Sequence, residues 1–82
     1  MVTVTLYGKP GCHLCEEARD VLLAAQGDAE MTLIERNILD DEDWFAEYAE
    51  SIPVVVIDGV FFCRYRVDPV EFGQRIRKEH NC

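Results

Sequence analysis

The residues that could do chemistry crowd into one tetrapeptide, Cys12-His13-Leu14-Cys15. Two thiols at this spacing can close a small disulfide, exchange with another disulfide, or hold a soft metal. The flanking residues say where the pair sits. Val2 to Tyr7 alternates, with Val2, Val4 and Leu6 on one side and Thr3, Thr5 and Tyr7 on the other. That is the period of a strand, and Gly8-Lys9-Pro10-Gly11 breaks it. From Cys12 the period changes: Leu14, Ala18, Val21, Leu22 and Ala25 recur at three- and four-residue spacing, one face of a helix. The cysteine pair therefore stands where a strand hands over to a helix. Cys12 falls in the first turn, where free backbone N–H groups and the helix dipole stabilise a thiolate. Cys15 lies one turn on, on the same side and within disulfide reach. A thiolate so placed attacks a disulfide sulfur, forms a mixed disulfide, and is released by the second thiol.

The competing reading of the same pair is a metal site. A structural zinc site wants four ligands. His13 is wedged between the thiols, and Cys63, His80 and Cys82 offer no second pair at matching spacing. A zinc, copper or iron–sulfur centre using Cys12 and Cys15, shared between two chains, stays open as the alternative.

The other elements have to position the pair. Met31 to Asn37 reads as a second strand, and Asp40 to Glu50 as a short acidic helix with Trp44, Phe45 and Tyr48 as its apolar members and Asp40 or Asp41 as cap. Pro53 to Ile57 is a buried-strand run. Asp58-Gly59 signals a two-residue hairpin into Val60 to Cys63. Asp68-Pro69-Val70-Glu71 opens a last helix, with Asp68 as cap and Pro69 in the first turn. Phe72 and Ile76 should face the core, and Arg75, Lys78 and Glu79 water. The order is β-α-β-α-β-β-α. A strand–helix–strand opening requires parallel pairing and the hairpin adds an antiparallel pair, so the class is α/β with a mixed four-stranded sheet and three helices.

At 82 residues and 49% hydrophobic, the chain is expected to form one domain, 1–82, with a small but sufficient core. The formal charge of −8 argues against general nucleic-acid binding. Charge is uneven: residues 1–63 hold 3 basic and 13 acidic groups, residues 64–82 hold 5 and 3. No apolar run reaches the ~18 residues of a membrane span. With no basic leader before Val2, a whole small cytoplasmic protein, monomeric and free of a disulfide framework, is expected.

Leu6-Tyr7-Gly8-Lys9-Pro10-Gly11-Cys12-His13-Leu14-Cys15, then Ser51-Ile52-Pro53, then Asp58-Gly59, resemble the glutaredoxins and the wider thioredoxin fold along nearly the whole chain. More narrowly, Pro-Gly-Cys-His-Leu-Cys-Glu-Glu-Ala resembles a bacterial glutaredoxin-like family. The resemblance implies a small dithiol–disulfide oxidoreductase or electron carrier with Cys12 as nucleophile and Cys15 as resolving thiol. It implies a cis peptide bond before Pro53, with Pro53 facing the sulfurs and the Ile52 backbone offered to an extended peptide or glutathione. Lys9 would stand near the thiolate and a glutathione carboxylate. No cofactor beyond the redox disulfide is implied. Partners would be disulfide-bearing proteins or small thiols, with glutathione or a thioredoxin reductase as reductant. One departure stands out: glutaredoxins carry Gly-Gly where this chain has Cys63-Arg64. Side chains there crowd the close approach of glutathione, while Arg64 supplies a charge.

The remaining residues have plainer expectations. His13 is expected to tune the pair toward thiolate. Cys63 is expected to be a half-buried strand residue, and Tyr7, Trp44, Phe45 and Tyr48 to serve packing. His80 and Cys82 are expected to have no role.

Overall fold

The computed structural model describes residues 2–80, and side-chain surroundings as far as Arg77. The expectations for Lys78, Glu79, His80 and Cys82 as side chains lie outside the described residues. The elements follow the expected order: β1 (Val2–Gly8), α1 (His13–Gln26), β2 (Met31–Asn37), α2 (Glu42–Tyr48), β3 (Val54–Ile57), β4 (Val60–Arg64) and α3 (Pro69–His80). The sheet order is β2-β1-β3-β4. β1 runs parallel to β2 and antiparallel to β3, and β3 runs antiparallel to β4.

β1 is central because both of its faces are used. Val2, Val4 and Leu6 point to one side and are buried with Val55 and Ile57 of β3. Ala18 and Leu22 of α1 and Phe72 and Ile76 of α3 close over them, so these two helices lie side by side on that face. Tyr7 points to the other side. Its ring meets Trp44 edge-on at 5.7 Å and Tyr48 at 4.6 Å, which docks α2 there.

Local signals set the joints. Asp58 and Gly59 both take positive φ, 49° and 82°, and Ile57 pairs directly with Val60. This is the turn whose twist matches a hairpin. The Asp58 carboxylate accepts from Thr3 N–H and the Asp58 N–H donates to Thr3 O, tying the turn to β1. Asp68 caps α3 by accepting from Val70 and Glu71 N–H.

Four details differ from the sequence expectation. The acidic segment splits: Ile38–Asp40 forms a single 3-10 turn, and of the two expected caps it is Asp41 that serves α2, accepting from Asp43 and Trp44 N–H. Within α2, Trp44 and Tyr48 are half-buried, whereas Phe45 lies out in solvent because Tyr7 offers contact to one side of the helix only. Arg75 is half-buried rather than exposed. β4 also carries an irregularity: Cys63 faces Val55 and Phe61 faces Val56, leaving Phe62 as an extra residue. The bulge turns Phe62 onto Phe72, ring centroids 6.0 Å apart.

Phe72 is fully buried, so Phe72→Ala should lower the unfolding free energy by about 3–5 kcal/mol. Phe45→Ala removes a ring of the same size from an exposed position and should change it by no more than about 0.5 kcal/mol. Urea unfolding of both variants measures the difference.

Candidate active site

Cys12 is the N-cap of α1, in extended conformation with φ −91° and ψ 107°. Its sulfur accepts a hydrogen bond from Cys15 N–H at 3.2 Å, the role an oxygen plays in an ordinary cap. Its carbonyl accepts from Glu16 N–H. The sulfur of Cys12 is joined to that of Cys15 in a disulfide, with Cα atoms 5.2 Å apart. The two cysteines are unequal: Cys12 is half-exposed and Cys15 is buried. An incoming group therefore meets Cys12 first.

Gly8, the last residue of β1, explains where Cys15 sits. A Cβ at Gly8 would lie 2.9 Å from Cys15 Sγ and 3.1 Å from Cys15 Cβ. The helix start rests on the bare backbone of the strand end, and any side chain at position 8 would displace it. Sequence reading missed this residue and treated it as the strand's breaker. The signal was available, since a glycine inside a strand pattern marks a close backbone approach.

On the β2 side of the disulfide lies an open hollow of about 400 Å³. Lys9 lines it together with Cys12 and Cys15, as do Arg19, Glu35, Arg36 and Asn37, which the sequence reading did not single out. Arg19 pairs with Glu35 at 3.1 Å, and the Arg36 guanidinium sits 5.8 Å from the centre of the Trp44 ring. His13 turns away: its side chain is 94% exposed, and Nδ1 lies 3.8 Å from the Glu16 carboxylate.

Ile52, Pro53 and Arg64 do not line the hollow. They belong to the opposite flank. Val54 pairs with Tyr7, so Pro53 falls one residue further along, level with Gly8. The Ile52–Pro53 peptide bond is cis and Pro53 is buried. The Ile52 N–H donates to Tyr48 O at 3.0 Å, which leaves the carbonyl as the backbone group Ile52 can offer. Arg64 pairs with Val54 across the β3–β4 ladder and is exposed, its guanidinium 5.2 Å from the centre of the Tyr65 ring.

A family model described as glutaredoxin-like domain (DUF836) matches residues 3–77. The chain belongs to this glutaredoxin-like family. Protein Ne2328 from Nitrosomonas europaea superposes with a TM-score of 0.79 at 28% identity, over 92% of this chain and 91% of that one. Protein XcR50 from X. campestris gives 0.75 at 24% identity, over 92% and 96%. A mutant thioredoxin from Halobacterium salinarum gives 0.68 at 13% identity, over 94% of this chain and 73% of that one, a likeness of fold alone. The fold is thioredoxin-like, and a glutaredoxin-like domain with a bonded Cys12–Cys15 pair is of redox type.

Three further features concern the chemistry and setting of this glutaredoxin-like domain. Among the described residues, no three His, Cys, Asp or Glu side chains gather where one metal ion could sit. No helix among them is long and apolar enough to cross a membrane. Cys63 is half-buried, and burial pushes its thiol up from 9.0 to about 11, with the Glu71 carboxylate adding to the effect. A thiol held protonated is a poor nucleophile.

Two outcomes follow from this geometry. In Gly8→Ala the contact with Cys15 Cβ is the same in either redox state, but the contact with Sγ can be relieved by rotation only once the disulfide is open. The variant should lose stability in both states and shift its exchange equilibrium with dithiothreitol toward the dithiol by about tenfold, within the ~1–3 kcal/mol range of overpacking. The same shift in Gly8→Ala/Cys15→Ala is impossible, so that pair of variants isolates the Cβ part of the stability loss. For Cys63, the neutral thiol is favoured in the native state. Its contribution to stability is fully present below pH 9.0 and is lost as pH rises toward about 11. Native alkylation at pH 8 should therefore label Cys63 slowly, and unfolding should speed it at least tenfold.

Proposed function

We propose that the protein is a small dithiol–disulfide oxidoreductase in which Cys12 is the nucleophile and Cys15 the resolving thiol. The supporting observation is the inequality of the bonded pair: Cys12 half-exposed at the N-cap and accepting an N–H, Cys15 buried against Gly8. In the reduced protein the Cys12 thiolate attacks one sulfur of a substrate disulfide and displaces the other as a thiolate, which takes a proton. The Cys15 thiol, deprotonated, then attacks Cys12 Sγ and expels the second substrate thiolate. The substrate gains two electrons and two protons, and the protein is left as the Cys12–Cys15 disulfide. An external dithiol or reductase returns it to the reduced state.

The substrates we assign are protein or low-molecular-weight disulfides, met by a monomer in the cytoplasm. The reductant is a thioredoxin-reductase-type system in preference to glutathione. Steric crowding favours the reductase. Cys63 and Arg64 stand where a glycine pair would let the tripeptide approach, and Tyr65 follows them with its ring partly exposed. Losing well-placed contacts worth about 1–3 kcal/mol weakens capture roughly ten- to hundredfold. Lys9 remains to meet a carboxylate from the hollow.

Cys12→Ser should abolish disulfide reduction, and Cys15→Ser should accumulate covalent mixed disulfides with its substrates that dithiothreitol releases. Mass spectrometry of adducts from a lysate reads this directly. Adducts on Cys15 in Cys12→Ser, with none on Cys12 in Cys15→Ser, would reverse the roles. Parallel kinetics should give glutathione-dependent turnover at least tenfold below turnover with the reductase, and the Cys63→Gly/Arg64→Gly variant should close part of that gap. A metal found in stoichiometric amount in anaerobically purified protein, with both thiols blocked to alkylation, would support the metal-binding alternative.

A further inference from the structure

The segment from Glu50 to Pro53 runs outside every helix and strand. It carries Ile52 and Pro53, the edge that would meet a polypeptide substrate. Ser51 and Ile52 N–H both donate to Tyr48 O, at 2.8 and 3.0 Å, which fastens the segment to the end of α2. Two further fastenings come from the residue just past the end of β4. Tyr65 N–H donates to Pro53 O at 2.8 Å, and the Tyr65 hydroxyl donates to Glu50 O at 3.1 Å. A single side chain and its own backbone thus grip both ends of the segment.

That grip needs an unusual backbone. Tyr65 has φ 67°, and Arg66 N–H donates to Arg64 O at 2.8 Å, closing a tight three-residue turn with Tyr65 at its centre. Bulky residues rarely occupy this region, and glycine would take it without strain. Strained positions persist where the surroundings over-determine them, often beside functional sites. Burial does not account for the tyrosine, because the residue is 44% exposed. What tyrosine adds over glycine here is the hydroxyl on Glu50 O and a ring on which the Arg64 guanidinium rests.

We propose that Tyr65 is a positioning residue that braces the Ile52–Pro53 edge so that it presents a fixed surface to an extended polypeptide disulfide. The role rests on the oxidoreductase reading, and it separates two kinds of substrate. A polypeptide uses the braced edge. A small neutral disulfide needs only Cys12.

Tyr65→Phe removes the hydroxyl and keeps the ring and the turn. It should raise KM for a disulfide-linked peptide about three- to tenfold, leave kcat unchanged, and leave the rate with 2-hydroxyethyl disulfide unchanged. Amide hydrogen exchange at Ser51 and Ile52 should quicken several-fold in the same variant. Tyr65→Gly keeps the turn without strain and should show the same rise in KM or a larger one. Wild-type exchange rates and wild-type KM in Tyr65→Phe would overturn the proposal. So would an equal loss with both substrates, which would place the effect at the sulfurs. If the wild-type protein reduces neither disulfide, the oxidoreductase reading fails, and unchanged or quickened exchange at Ser51 and Ile52 still decides whether Tyr65 is a brace.

Discussion

The contact between Cys15 and the backbone of Gly8 governs how the rest of the molecule is arranged. A helix can start this close to a strand end only if the strand presents no side chain, and Gly8 meets that condition: a Cβ there would lie 2.9 Å from the sulfur. With the helix start fixed there, Cys15 is buried and Cys12 is left at the rim. α1 then lays Ala18 and Leu22 along the face of β1 that carries Val2, Val4 and Leu6. The same strand end also sets the second flank, because the pairing of Tyr7 with Val54 brings Pro53 level with Gly8. Strand pairing, helix packing and the exposure of one sulfur over the other thus converge on a position without a side chain.

The two flanks of the disulfide differ in character. On the β2 side, the hollow is open, with Lys9, Arg36 and the Arg19–Glu35 pair among the residues around it. On the β3–β4 side, the chain is filled in and held. Pro53 is buried, Tyr65 bonds to both ends of the segment before β3, and Arg64 lies over the Tyr65 ring. A positive φ at a tyrosine costs on the order of 1–2 kcal/mol. The two hydrogen bonds Tyr65 makes, each worth about 0.5–1.5 kcal/mol, are sufficient to offset it.

How much of this is legible in the sequence depends on whether the cause is local. Asp58-Gly59 is legible because the turn's positive φ values are a property of those two residues. The caps at Asp41 and Asp68 are legible for the same reason, though Asp40 and Asp41 compete until the 3-10 turn at Ile38–Asp40 settles the choice. The placement of Cys12 at the head of a helix follows from the change of period between Tyr7 and Leu14. Tyr65 is not legible. Its conformation is imposed by carbonyls at Glu50 and Pro53, fifteen and twelve residues earlier in the chain, and nothing in Arg64-Tyr65-Arg66 announces them. The hollow is equally hidden. Arg19 of α1 meets Glu35 and Arg36 of β2 only because β2 pairs in parallel with β1 beneath that helix. Phe45 shows the converse error: apolar residues at helical spacing suggest a packed face, but α2 meets only the Tyr7 end of the sheet and leaves that ring outside.

The charge distribution requires the same move from the chain to the place. A formal charge of −8 suggests that anionic thiols are kept at a distance. At physiological ionic strength the field of an exposed charge fades over about 8 Å. A molecule that has reached the hollow therefore responds mainly to the groups lining it, where Lys9, Arg19 and Arg36 face Glu16 and Glu35. Arg19 and Glu35 largely cancel. Glu16 lies toward His13, and Lys9 and Arg36 are left as the local excess. The net charge thus bears on how often an anion arrives, and the lining bears on how well it is held. On the proposed reading, discrimination against glutathione comes from the other flank, where Arg64 and Tyr65 present exposed side chains.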